Sequence, residues 1–443
     1  MKKMLIIINT IFLILLVFCS KANCQNLEQY LSNKDKGYQY IEALQAQICS
    51  IRPHANCNLQ YRDCELSIRS LYMKMFNQIP SDSVVQVHCQ RVTTRFEVPG
   101  AFLLLSSYCR EIELAASQLG IQFPNLPRIG TLPIKEINAS SEEHGYNIIF
   151  INSTFMTFAN EIMKVISRSI DIANINNITN NDELRKISLR QSLAKDSSLL
   201  RDFLIVTTAY VEGNPNLPRA PANKEFHSIL STYLRGIELF AIAHEYAHIY
   251  MGHTKTSPRA LVMDDGTLLS KKKGSKNNNE WAEEMIADFI ALKILKQIYV
   301  NDLIKNSPDI SILFAPEFYF TSLQLLSKVR ALMLGETEKK VQYKDLQFLP
   351  AIKRAFSDTS YLSMELQLKS IPSQNQRKHP PTEVLRQDIV HYITSESFVQ
   401  VSNKYPIRLT ELLSRNTFDM WELASPSLDK LVKKNKKEKI DRR

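Results

Sequence analysis

No cysteine follows residue 109, so all seven lie in the first quarter of this 443-residue chain. Any disulfides therefore belong to the N-terminal part, and the rest must hold together by packing alone. No C-x-x-C pair occurs, which removes the usual signature of a cysteine-bound zinc. After the first twenty residues no stretch is apolar for long enough to cross a bilayer, a task that takes about 20 residues. No internal repeat marks a solenoid. The body also lacks a basic patch. Of the net charge of +10, positions 428–443 contribute +5 and the first 22 residues +3, leaving the remainder near +2. A fold that grips phosphates needs clustered cations, so nucleic acid is excluded as a partner.

What is present is ordinary globular composition, 44% hydrophobic and 23% charged, in a chain long enough for two or three packed units. The first residues stand apart. Lys2 and Lys3 precede the apolar run Met4 to Cys19, and Ser20-Lys21-Ala22 follows. That order reads as a secretory signal peptide, residues 1–22, cut after Ala22. Neither Cys19 nor Cys24 follows the small apolar residues of a lipid-modified cysteine. The expected location is periplasmic or secreted, the alternative being an uncleaved N-terminal membrane anchor. Cleavage leaves Cys24, Cys49, Cys57, Cys64, Cys89 and Cys109, an even six that permits three disulfides in an oxidising compartment. The basic C-terminal tail reads as a solvated extension with possible peripheral contact to an anionic membrane.

Along the chain, residues 23–125 read as a cysteine-containing helical region, whose clearest helix is Ala101 to Leu119, opened by Pro99-Gly100 and closed by Gly120. The segment FPNLPRIGTLP (123–133) reads as a turn-rich connector. Tyr146 to Ile151 is a β-rich apolar run, and Thr154 to Asp171 an amphipathic helix. An Asn-rich loop follows. Leu199 to Val211 is a buried element whose type periodicity does not decide. Asp265-Gly266, flanked by LVM and TLL, predicts a small hairpin. Glu280 to Gln297 returns to helical patterning. From 301 to 400 the pattern is helical, with breaks expected at Pro308, Pro316, Gly335, Pro350 and Pro372.

The chemistry concentrates in YLRGIELFAIAHEYAHIYMGH, Tyr233 to His253. Residues four apart on a helix share a face, so His244 and His248 can place imidazole nitrogens on one zinc ion. Glu245 points about 100° away around the axis, placed to act on a water rather than to share the coordination. Gly252 supplies the stop signal.

A catalytic zinc needs a third protein ligand. His253 sits about 140° around the helix from His248 and reads instead as a cap on the helix end. The better candidate lies in NEWAEEMIADFIALKIL, where Glu284 and Asp288 are four apart and face the same way. Glu284 would bind the metal, with Glu280 and Glu283 as neighbouring alternatives. Asp288 would take the other ring N–H of a ligating histidine and fix its tautomer. Small Ala287 and Ala291 would let the two helices approach closely. Tyr246, between the ligands, is expected to pack inward.

HEYAH followed by EMIAD resembles the gluzincin metallopeptidases, in particular the group containing HtpX, the CAAX-prenyl endopeptidases and soluble periplasmic relatives. Their pairing is His-Glu-x-x-His with Glu-x-x-Ala-Asp on the following helix, which Glu284, Ala287 and Asp288 match. Asn138-Ala139 is similar to the start of that group's active-site edge strand. KHPPTEVLR (378–386) resembles its His-Pro element, which implies that His379 stabilises the tetrahedral intermediate or gates the fourth metal position. The membrane spans of HtpX and the prenyl enzymes are absent. A weaker likeness is to Lit-type phage-exclusion peptidases, whose cytoplasmic target fits poorly with a signal peptide.

The fold expected is mainly α with a small β-sheet: an α+β zincin-like core over 126–300, a helical part over 301–400 completing the cleft, and a C-terminal segment 401–443. The function expected is that of an exported metalloendopeptidase acting on protein or peptide substrates with one Zn2+ per chain. Glu245 is the general base, His379 a further catalytic residue, and a strand at 146–151 the edge that aligns substrate. A zinc-bound envelope chaperone or a single-target effector protease are the alternatives.

Overall fold

The computed structural model describes residues 36–51, 64–132, 140–143, 147–170, 181–213, 218–252, 260–262, 268–270, 280–304, 310–335 and 405–441, apart from a few positions within these ranges. The chain is mainly helical with a small sheet. In order come α1 (Lys36–Ile51), α2 (Cys64–Phe76), α3 (Asp82–Arg91), α4 (Pro99–Gln118), β1 (Arg128–Leu132), β2 (Ser140–Glu143), β3 (Asn147–Asn152) and α5 (Ser153–Ser167). There follow α6 (Asp182–Lys195), α7 (Leu199–Val211), α8 (His227–Tyr250), β4 (Ala260–Val262), β5 (Leu268–Ser270), α9 (Glu280–Ile304), α10 (Ser311–Leu334) and α11 (Tyr405–Asp441). None of the described helices is long and apolar enough to cross a membrane.

The sheet has the order β1-β3-β2, with β1 parallel to β3 and β2 antiparallel to it. Ile148 to Asn152 are all buried, because the strand is covered on both faces. Ile148 and Phe150 pack with Ile41, Leu44 and Ile48 of α1, a stripe at helical spacing, while Ile149 and Ile151 join the main core. An unbroken apolar run is what a doubly covered strand requires. The expected edge strand at 146–151 is thus the central one, and the edge next to it is β2. Arg128–Leu132, expected as a connector, is a strand in register with Ile148 to Asn152. Its turn-forming residues lose to the pairing and to burial of Ile129 and Leu132.

α8 is the middle of the molecule. Tyr233, Ile237, Leu239, Phe240, Ile242, Ala243, Tyr246 and Ala247 are all buried, so the helix is apolar nearly all round. It packs against α4, α5, α9 and α10 and against β2 and β3. α9 can lie close because Ala287 and Ala291 are fully buried at the contact side of an otherwise large-residue helix. α10 runs straight through Pro316, where a break was expected. The proline costs one helical hydrogen bond near the first turn, and burial of Phe314, Phe318 and Phe320 outweighs that loss. α11 closes the far side of α10 through a polar seam: Tyr233 meets Thr410, Thr321 donates to Ser414 at 2.8 Å, and Asn416 donates to Ser169 at 2.9 Å.

Local signals explain several boundaries. α4 starts with Pro99 in its first turn and ends at Gly120, whose φ of +74° lets the Ile121 N–H reach the Ala116 carbonyl at 2.9 Å. Asn152 caps α5, its Oδ1 accepting from the N–H groups of Thr154 and Phe155. α5 stops at Ser167, short of Asp171, because Ile170 is already turned into the core. Leu199–Val211 is a helix, and β4 and β5 pair antiparallel with Val262 opposite Leu268, while the expected turn at Asp265-Gly266 lies outside the described residues. Cys64 and Cys89 join α2 to α3, and Cys49 is also bridged. Cys109 is a free, buried thiol, so not all six cysteines pair. It faces the core from α4 beneath Tyr246, and burial pushes its pKa up to about 12.

Candidate metal centre

Two helices make the site. One turn of α8 separates His244 from His248, and their Nε2 atoms stand 3.0 Å apart. Glu284, in the second turn of α9, closes the triangle: Oε2 is 3.4 Å from His244 Nε2 and Oε1 is 3.5 Å from His248 Nε2. One donor atom from each side chain falls within 4.8 Å of the others. These three residues could hold a metal ion. Among the described residues no other group of histidines, cysteines and acids does so.

The donor set fits a cation on physical grounds. Tetrahedral zinc with bonds of about 2.0–2.1 Å keeps its ligand atoms about 3.3–3.4 Å apart, close to the three separations found. Two imidazole nitrogens facing each other at 3.0 Å repel unless a proton or a cation sits between their lone pairs. The electrostatics point the same way. Burial works against a charged His244, yet Asp288 and Glu284 outweigh it and push its pKa up to about 10. The pocket is a place where positive charge is stabilised.

Asp288 lies one turn beyond Glu284 and is almost fully buried. Its Oδ1 is 2.9 Å from Nδ1 of His244, the ring nitrogen that faces away from the triad. Facing this buried carboxylate favours a proton on Nδ1 of His244. Nε2 is then the atom left facing His248 and Glu284. Glu245 is buried on the same turn of α8 as His244. Tyr246 packs inward, its hydroxyl donating to Glu113 Oε1 at 2.8 Å and its ring 5.0 Å from that of Phe123. This bond ties α8 to α4 and resists rotation of α8 about its axis.

His244, His248, Glu284 and Asp288 are thus brought together. Glu283 is not in the group, and the side chain of Glu280 lies outside the described residues. So do His253, His379 and the whole of 378–386. Sequence reasoning missed the role of Ser140–Glu143. That short polar strand is an edge of the sheet, and α8 packs against it. Its signal was available: serines and glutamates in a strand next to an apolar one are typical of an edge that must not aggregate. Gly236 was also missed, because nothing local marks a glycine needed for close helix approach.

Comparisons with known protein families, curated proteins and solved structures gave no match.

Proposed function

We propose that the chain is an exported zinc metalloendopeptidase, and the observation that carries this reading is the His244–His248–Glu284 triangle with Asp288 behind His244. Two nitrogens and one carboxylate oxygen are the donors of a catalytic zinc site that keeps one position open for chemistry. Zinc, when bound, makes water nucleophilic near neutral pH and polarises the scissile carbonyl. The protein's own groups do the remainder. Glu245 takes the proton of the attacking water and passes it to the leaving amine. Asp288 orients His244. The outer edge of β2 aligns an extended peptide by main-chain hydrogen bonds. The basic, apolar and small-residue order of the first 22 residues and the Cys64–Cys89 bridge support export.

The test is metal analysis of the purified protein together with a proteome-wide map of cleaved bonds, compared with Glu245→Gln. One zinc per chain in both proteins, with cleavage only by the unaltered one, is the expected result. Equal cleavage by the variant removes Glu245 as general base. No cleavage by either removes the peptidase reading.

A further inference from the structure

We infer that Tyr246 and Glu113 are positioning residues for the metal centre proposed above, on which this inference rests: the hydrogen bond between them sets the rotation of α8 at which both histidines meet Glu284. Tyr246 falls midway between His244 and His248 in the chain, and about 100° per residue turns it about 180° from the direction the pair shares. It therefore grips the side of the helix opposite the metal position. The side chain is fully buried, and its hydroxyl donates to Glu113 Oε1 of α4 at 2.8 Å. The Cys109 thiol also lies against that hydroxyl, but sulfur is a weak acceptor and does not replace the carboxylate.

Most of the buried surface of α8 is apolar, and apolar packing has no direction of its own. Rotation of the helix is fixed by polar contacts, which do. Tyr233 meets Thr410, Arg235 meets Glu111 and Asp302, Glu238 meets Tyr108, and Tyr246 meets Glu113. Of these five contacts only the last stands level with the ligands; Glu238 already precedes His244 by about 9 Å along the axis. A metal makes small rotations costly. Side-chain tips lie about 5–6 Å from a helix axis, so turning α8 by about 10° carries both Nε2 atoms about 1 Å past the Glu284 carboxylate. Ligand distances in a working site hold to about 0.2 Å. The anchor is also well placed, because α4 packs against α9, which carries Glu284, as well as against α8. Glu113 thus references one half of the site to an element that touches both.

The experiment titrates full-length protein with zinc against a chelating dye, and with Co2+ for its visible absorption. Tyr246→Phe keeps the ring and removes the donor, and Glu113→Leu removes the acceptor. Glu113→Gln keeps an oxygen that accepts the same bond. Zinc affinity should fall about 3- to 10-fold in Tyr246→Phe and in Glu113→Leu, the worth of one hydrogen bond, and stay within about twofold in Glu113→Gln. The two changes together should cost no more than either alone. The Co2+ bands should shift in Tyr246→Phe and match the unaltered protein in Glu113→Gln. A metal-free Tyr246→Phe protein that melts lower, with zinc affinity and Co2+ bands unchanged, shows a packing role only and overturns the inference. So does an equal loss of affinity in Glu113→Gln and Glu113→Leu. If Glu113→Leu fails to fold, Tyr246→Phe and Glu113→Gln decide. No metal bound by the unaltered protein removes the metal site and the inference with it. The expected affinity pattern in a protein that cleaves no peptide upholds the positioning role and removes only the peptidase.

Discussion

A Cβ on Gly236 would stand 2.7 Å from the carbonyl oxygen of Ile312. The same atom would lie 3.1 Å from the Ile312 Cα and 2.5 Å from the Ala315 Cβ, so α8 and α10 meet there nearly backbone to backbone. Pro316 explains why that carbonyl is available. A proline has no N–H to offer the residue four before it, and the Ile312 oxygen is left turned toward α8. The glycine of one helix and the proline of the other are two halves of one contact, about two turns before His244.

Gly236→Ala should therefore destabilise the protein, although alanine is the better helix former. Propensity favours the variant by about 1 kcal/mol, whereas overpacking costs about 1–3 kcal/mol. Two of the three obstructing atoms are backbone, so no rotamer change relieves the clash. A net loss of up to about 2 kcal/mol is expected in denaturant titrations. A variant as stable as the parent would mean that the helices part without cost.

This contact shows where reading the sequence stops. His244, His248, Glu284 and Asp288 were legible because each pair sits on one helix at a spacing of four, a relation that helical geometry alone guarantees. The closeness of the two helices was legible too, through Ala287 and Ala291. Gly236 was not, because its partner is 76 residues away and nothing near it in the chain announces a neighbour. The strand Asn147–Asn152 was recognised by composition, but its neighbours were not, since strand order is set by pairing between distant segments. Pro316 misled for the same reason: tertiary burial, not local propensity, decided whether the helix continued.

Removing the third ligand should empty the site. Glu284→Ala leaves two imidazoles, too few to hold a catalytic zinc against dialysis. Metal analysis should show a fall from one ion per chain to nearly none. The side chain is 24% exposed, so its removal should leave the far-UV circular dichroism unchanged. Undiminished metal in this variant, with loss in Glu280→Ala, would move the ligand one turn toward the start of α9.

Asp288→Asn tests the group behind the ligand rather than the ligand itself. The amide keeps the shape but loses the charge that His244 Nδ1 faces at 2.9 Å. Zinc affinity should weaken about 10- to 100-fold, as is usual for partners of ligating histidines. Competition with a chelating dye measures this directly. An unchanged affinity would reduce Asp288 to a packing residue.

Glu238 should make stability depend on pH near neutrality. It lies on α8, buried, and its Oε2 has no hydrogen-bond partner among the described residues. Nearby Arg235 is already engaged by Glu111 and by Asp302, the latter at 2.9 Å. Burial pushes the Glu238 carboxyl from its ordinary 4.5 up to about 7, with a hydrogen bond from Tyr108 pulling the other way. Between those values the unfolded chain has given up a proton that the folded chain still holds. Stability is therefore fully present below about pH 4.5, declines as pH rises toward 7, and levels off above it. The difference amounts to at most about 3 kcal/mol. Glu238→Gln keeps the neutral shape at every pH, so its stability relative to the parent should rise across that window. Thermal melts at pH 5 and pH 8 check it: the variant should gain several degrees on the parent only at the higher pH. An equal difference at both would mean that the Glu238 carboxyl is ionised in the folded protein throughout.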